Sequence, residues 1–229
     1  MSVANFGLSL VVLRTVPLFS GLSESELEKL SKVCGRKRVE RGAFILRAGD
    51  SSDSLYIMLT GRAKVTKADE EGRENILDWL DYGEFFGEMG LIDGSPRSAN
   101  VVASEVCELL VLDKEAFQRC LQDNFQVAQK LMQILVHRMR EAGRKIESLA
   151  LLDVYGRVAR LLLELSVEEE GQRVVKKKVS KQDMARMIGA SREMVSKVMR
   201  DLELSGYIAY ENDLVVILGH ENGQANDGP

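Results

Sequence analysis

The sequence predicts an α+β chain: an N-terminal antiparallel β-sandwich or barrel, one long helix, and a small C-terminal domain of helices and short strands. Three observations carry this expectation. From Gly42 to Val111, short apolar segments alternate with turns at Gly42, Gly49, Gly61, Gly72 and Gly83, about every 7 to 12 residues, which is hairpin spacing. From Ala128 to Leu149, apolar residues recur in alternating steps of four and three. Beyond Val179, two serine-headed helical segments stand on either side of Gly189. A length of 229 residues suits two small domains at roughly 100 to 150 residues each.

Ser23-Glu24-Ser25-Glu26 has the Ser-x-x-Glu form of a capping box, and Leu27, Leu30 and Val33 follow at helical spacing, so a short helix precedes the strands. Strands are expected at 43–46, 55–59, 63–66, 76–80, 100–103 and 108–112, all rich in β-branched or aromatic residues. Asp113 has the chemistry of a helix cap, and the pattern then stays helical to about Ser166. Within it Ala128, Met132, Leu135, Met139, Ala142, Ile146 and Leu149 form a heptad seam. Arg138, Arg140, Glu141, Arg144, Lys145 and Glu147 flank that seam and keep it narrow, which suits a two-stranded coiled coil and predicts a homodimer. Asp153 opens a second helical unit whose Val154, Val158, Leu161, Leu162 and Leu165 make a stripe wide enough for a globular core. The expected divisions are 1–123 for the N-terminal helices and strands, 124–152 for the seam helix, 153–219 for the C-terminal domain, and a polar, disordered 220–229.

Composition excludes several function classes. No apolar run approaches the roughly 20 residues that cross a bilayer, and the N-terminal residues lack the features of a secretory signal, so a cytoplasmic protein with no membrane partner is expected. Cys34, Cys107 and Cys120 are odd in number and far apart, against a disulfide framework or thiolate zinc site. His137 and His220 are too few and too scattered for a metal site or a hydrolytic triad, so no metal, no covalent cofactor and no enzyme activity are expected. The net charge of −4 argues against coating nucleic acid with the whole surface, and leaves room for one basic patch.

The segment from Phe86 to Ala99, Phe-Gly-Glu-Met-Gly-Leu-Ile-Asp-Gly-Ser-Pro-Arg-Ser-Ala, is the most informative. Two of its glycines let backbone approach a ligand, a short helical turn over 88–92 would aim N–H groups at an anion, and Arg97 supplies a charged fork. Together these make a phosphate cradle. A second constellation runs from Val179 to Arg200: Ser180 caps one helix, Gly189 turns the chain, and Ser191 caps another, the punctuation of a helix-turn-helix. On that second helix Val195, Val198, Met199 and Leu202 share one face, and Arg192, Glu193, Ser196, Lys197 and Arg200 the other.

The first constellation resembles the phosphate-binding cassette of cyclic-nucleotide-binding domains, on Phe86-Gly87-Glu88 and Arg97-Ser98-Ala99. With a seam helix and a second domain behind it, the chain from about Leu18 to Gly219 is similar to the cAMP receptor protein and fumarate–nitrate regulator (Crp/Fnr) family of bacterial transcription factors. The resemblance implies a cyclic-nucleotide-binding β-roll, a dimerisation helix and a winged helix-turn-helix. It implies that Arg97 and Ser98 hold a cyclic phosphate, that Glu88 accepts the ribose 2′-hydroxyl, and that backbone at Gly87 and Glu88 frames them. Ser191-Arg192-Glu193-Met194-Val195-Ser196-Lys197 matches the family's recognition-helix pattern, so Ser191, Arg192, Glu193, Ser196 and Lys197 are the expected DNA contacts. Arg192 suits guanine and Glu193 the cytosine amino group, which with a symmetric dimer implies a palindrome of TGTGA-like half-sites. Strands at 174–179, 207–210 and 214–218 complete the expected wing, with Lys176, Lys177 and Lys178 touching phosphates. RNA polymerase is the further partner implied.

One departure bears on the effector. In the cAMP receptor protein adjacent Thr and Ser on the dimer helix bond adenine, and Ala142-Gly143 stand at those positions here. Phosphate and ribose recognition survive that change, whereas purine selection weakens by the worth of a hydrogen bond, about 0.5 to 1.5 kcal/mol. Two small residues also make room for a larger ligand, with Arg138, Arg140 and Arg144 at hand for guanine edges or a second phosphate. The effector expected is cyclic AMP, with cyclic di-GMP the rival. Two further readings compete: a ligand-independent DNA-binding regulator, against which Glu88, Arg97 and Ser98 argue, and a cyclic-nucleotide-regulated enzyme or channel subunit, against which Arg192-Glu193 argues.

Overall fold

Local signals set the element boundaries of the computed structural model, which describes residues 10–169, 171–176, 179–212 and 214–218. The expected disordered 220–229 and the expected phosphate contacts Lys177 and Lys178 lie outside these residues. Ser23 accepts from the Glu26 amide and Glu26 reaches back to the Ser23 amide, so the capping box starts helix α1, Glu24–Val33. Asp113 caps α3 (Lys114–Asp123), Asp153 caps α5 (Val154–Leu165), Ser180 caps α6 (Lys181–Ile188) and Ser191 caps α7 (Arg192–Leu204). The helical stretch expected from Asp113 to about Ser166 is three helices, because Asn124 leaves the helical conformation and α4, Phe125–Leu151, begins afresh.

Eight strands form two four-stranded antiparallel sheets. β1 (Gly35–Val39), β8 (Cys107–Asp113), β3 (Ser54–Thr60) and β6 (Phe85–Phe86) neighbour one another in that order, as do β2 (Phe44–Leu46), β7 (Asn100–Ala103), β4 (Ala63–Ala68) and β5 (Glu74–Leu80). Strand β3 is buried on both faces, which accounts for its unbroken Leu55-Tyr56-Ile57-Met58-Leu59. Leu55, Ile57 and Leu59 join Leu110 and Leu112 of β8 in a core completed by Leu27 and Phe117, whereas Tyr56 and Met58 turn inward with Leu109, Val101 and Leu80. These sheets are the predicted β-roll. Between β6 and β7 a short helix, α2 (Met89–Asp93), carries the candidate cassette.

The chain divides into two compact units, with the division at Glu141 and Ala142 inside α4. In the second unit, β9 (Val167–Glu169), β10 (Gln172–Val175), β11 (Ile208–Glu211) and β12 (Leu214–Ile217) form an antiparallel sheet ordered β11-β12-β10-β9. Its core joins Val158 and Leu162 of α5, Met184 and Ile188 of α6, and Val195, Met199 and Leu202 of α7. This is the predicted winged helix-turn-helix.

Candidate functional site

Arg97 is the organising residue of the first site. Its backbone is fixed on both sides, the amide donating to Asp50 O at 2.9 Å and the carbonyl accepting from Gly49 N at 2.9 Å. Its side chain is 3% exposed. Nη1 donates to Gly87 O at 2.7 Å, and Nη2 to Ser54 O at 2.8 Å and, more distantly, to Asp53 Oδ1 at 3.4 Å. Nε is buried with no protein partner among the described residues, a donor whose desolvation is uncompensated until an acceptor arrives. Gly87 makes the approach possible: at φ +84° it adopts a conformation that side chains resist, and a Cβ there would stand 2.6 Å from Arg97 Nη1. Tyr56 and Phe86 stack beneath at 5.5 Å, with the guanidinium 5.9 Å above the Tyr56 ring. Burial, helped by the Asp53 charge, pushes the Tyr56 hydroxyl up from its ordinary value.

Glu88 lies at the head of α2, which starts at Met89, one residue later than expected from sequence. Its side chain is 3% exposed, and Arg138, from α4, donates to Oε1 at 2.6 Å and to Phe85 O at 2.8 Å. The arginine thus holds the carboxylate in place through Oε1, and Oε2 remains able to accept from a hydroxyl. Ser98 is exposed and its hydroxyl stands 3.8 Å from the Met89 sulfur, leaving it able to donate elsewhere. The pieces present are therefore a buried carboxylate acceptor, a buried guanidinium with one unused donor, and a hydroxyl on the same short segment. This suits a ligand that pairs a phosphate with a sugar hydroxyl.

Of the expected ligand residues, Gly87, Glu88, Arg97, Ser98 and Arg138 fall in the first compact unit, and Ala142 and Gly143 are exposed in the second. Among the described residues, apart from its chain neighbours and the adjacent backbone of α4, nothing lies within 4 Å of where a Gly143 Cβ would stand. Much of the seam is bare, Met132, Met139, Ile146 and Leu149 all being more than half exposed, whereas Ala128 is half-buried and Leu135 packs against the core of the first unit. Asp53, Ser54 and Phe85, which hold Arg97 and Arg138, were not legible in the sequence, since two of them act through backbone carbonyls that leave no side-chain signal.

In the second unit, Gly189 takes the left-handed conformation at φ +63° and closes α6, with Ala190 N donating to Ala185 O at 3.0 Å. Arg157 of α5 donates to Ile188 O at 2.7 Å, tying the end of α6 to the core. Ser191 then accepts from Met194 N at 3.1 Å and starts α7. Val195, Val198, Met199 and Leu202 are buried, while Arg192, Glu193, Lys197 and Arg200 are exposed and bond to no described residue. Ser196 is half-buried beside them. A capped helix with one apolar face fixed and a charged face free is the geometry of a helix that enters a DNA major groove.

Comparison with known proteins identifies both domains. The family profile described as "Cyclic nucleotide-binding domain" matches residues 36–124, and that described as "Crp-like helix-turn-helix domain" matches residues 156–221. The cAMP-activated global transcriptional regulator Vfr of Pseudomonas aeruginosa is 34% identical over 203 residues, covering 84% of this chain and 94% of Vfr. This chain belongs to the Crp/Fnr family of transcription regulators. Among solved structures, the c-di-GMP responsive global regulator CLP of Xanthomonas campestris aligns with a TM-score of 0.72 at 29% identity, over 86% of this chain and 100% of CLP. The catabolite activator protein of Thermus thermophilus aligns with a TM-score of 0.55 at 31% identity, over 88% of this chain and 93% of that one. As a family member the chain is a DNA-binding transcription regulator with a cyclic-nucleotide-binding domain. Among the described residues no helix is long and apolar enough to cross a membrane.

Proposed function

We propose that this chain is a homodimeric regulator whose binding to a palindrome of TGTGA-like half-sites is controlled by cyclic AMP. The observation that carries the effector assignment is the buried Arg97, whose Nε has no protein partner among the described residues, in the same short segment as the buried Glu88. Arg97 and Ser98 take the cyclic phosphate, Glu88 Oε2 takes the ribose 2′-hydroxyl, Arg138 holds Glu88 in position, and Gly87 leaves the space they need. The exposed Met132, Met139, Ile146 and Leu149 pack against the same residues of a second copy, burying the seam on a 124–152 dimerisation segment. Ser191, Arg192, Glu193, Ser196 and Lys197 meet the DNA, with Arg192 and Glu193 reading bases. RNA polymerase is the downstream partner in this reading. Control requires that the effector bind the DNA-competent arrangement more tightly than the other, because a ligand with equal affinity for both shifts nothing.

A second reading has the same site answer to cyclic di-GMP. Ala142 and Gly143 favour it, since neither can bond a purine and both leave room on the seam, and the similarity to CLP adds to it. Calorimetric titration of the full chain with cyclic AMP, cyclic GMP and cyclic di-GMP separates the two. Tight binding of cyclic AMP alone is the expected result, selective binding of cyclic di-GMP would transfer the assignment to it, and heat from none of the three would remove the effector role.

A further inference from the structure

Met194 stands apart from the other methionines of its domain. Met184 and Met199 are buried in the core, whereas Met194, in the first turn of α7, is 47% exposed. Its amide is satisfied by Ser191, so its backbone is fixed, and its side chain touches no bonding partner among the described residues. At 3.6 residues per turn, the free face of α7 centres between Glu193 and Lys197; Met194 stands about 90° to one side of that centre and Arg192 about 110° to the other. The apolar side chain is therefore closer to the middle of the free face than Arg192 is. A solitary exposed apolar residue needs no explanation on most surfaces. Here it flanks charged groups at the end of a helix whose N-terminal residues meet base edges. The one apolar group that a base pair displays in the major groove is the C5-methyl of thymine.

We infer that Met194 is a specificity-determining residue that reads a thymine methyl at one position of each half-site. This rests on the reading of α7 as the recognition helix and adds an apolar contact to its charged ones. Methionine suits the task, being unbranched, polarizable and able to adjust to a partner's position.

The test uses the full chain and the duplex it selects from a random pool, with each thymidine replaced in turn by 2′-deoxyuridine, which removes the methyl and nothing else. The expected result is a loss of about fourfold in affinity at one thymine per half-site, the worth of one buried methyl-sized group. Met194→Ala should abolish that sensitivity and Met194→Leu should keep it, both with unchanged melting temperature. Insensitivity of the natural chain at every thymine, or the same loss persisting in Met194→Ala, overturns the inference. Glu193→Ala distinguishes the failures: if it alters sequence preference while deoxyuridine has no effect, the recognition helix stands and the methyl contact falls. If no duplex is selected at all, both fall.

Discussion

Arg138 donates to Glu88 at 2.6 Å across 50 residues of sequence, and the same guanidinium holds the Phe85 carbonyl 2.8 Å away. One end of the pair is buried and the other only partly so, Glu88 being 3% and Arg138 36% exposed. Removing the arginine leaves a buried carboxylate with no counter-charge, which costs several kcal/mol in a fully buried pair and less where one partner meets water. Arg138→Ala should therefore lose about 2 kcal/mol in urea unfolding. Glu88→Gln in the same background should recover part of it, because the charge that needed a partner has gone. If Arg138→Ala unfolds like the natural chain, the pair contributes nothing and Glu88 is held by other means.

Gly87 and Arg97 occupy one another's space. A Cβ at position 87 would fall 2.6 Å from Nη1 and 3.2 Å from Ser54 O, on a backbone at φ +84°. Gly87→Ala should thus displace the guanidinium from both carbonyls and cost about 1 to 3 kcal/mol in backbone strain. Calorimetry should show effector binding reduced far more than the lowered melting temperature explains. Retained affinity would mean that Arg97 does not need its present position.

Asp53 and Ser54 both meet Arg97 Nη2, but unequally. The Ser54 carbonyl lies at 2.8 Å, whereas the Asp53 carboxylate is 3.4 Å away and 77% exposed, where ion pairs are worth little. Asp53→Asn should change effector affinity by less than about threefold, in keeping with an exposed pair worth under about 1 kcal/mol. Arg97→Ala should abolish binding while leaving a folded chain by circular dichroism. A large effect of Asp53→Asn would show that the carboxylate, not the two carbonyls, aims the guanidinium.

Much of this was legible in the sequence because it depends on neighbours. Capping is a three-residue matter, so Ser23, Asp113, Asp153, Ser180 and Ser191 announced their helices. Gly189 and Ser191 likewise placed the turn and the free face of α7. What escaped depends on distant partners. Gly35-Arg36-Lys37-Arg38-Val39 has little intrinsic preference for a strand and becomes β1 by pairing with β8. Phe85-Phe86 is too short to show a period, and becomes β6 by bonding to Tyr56 and Ile57. Arg138 was singled out by its place on the seam helix near Ala142-Gly143, as a partner for guanine edges or a second phosphate; its bond to Glu88 needs α4 and α2 brought together, which no local pattern specifies.

Cys34 and Cys120 share the core formed by α1 and α3, and burial pushes their thiols up to about 12 and about 11 from an ordinary 9.0. A thiol whose value is raised by folding contributes its stability in full below the unfolded value. That contribution is lost as pH rises toward the folded one. Stability to urea should accordingly hold between about pH 7 and 8.5 and decline above about pH 9, with a shallower decline in Cys34→Ala. Iodoacetamide at about pH 8 should label neither thiol in the native chain and both in urea, because the thiolate is the reactive form. Rapid native labelling of Cys34 would contradict its burial.

Ser191 and Glu193 lie two residues apart on one turn and should separate folding from reading. The Ser191 side chain accepts the Met194 amide at 3.1 Å, so Ser191→Ala should cost about 1 kcal/mol of stability, the usual worth of a cap. It should weaken binding to every DNA sequence alike, since fraying the first turn misplaces all the side chains on it. Glu193 bonds to no described residue, so Glu193→Ala should leave the melting temperature unchanged. What it removes is an acceptor for a cytosine amino group, and discrimination at one base pair of each half-site should fall by about 1 to 3 kcal/mol. Competition binding with a set of single-base variants reads both effects at once: a uniform offset for Ser191→Ala and a single flattened position for Glu193→Ala. A uniform offset for both would make Glu193 part of the scaffold and leave base reading to Arg192 and Lys197.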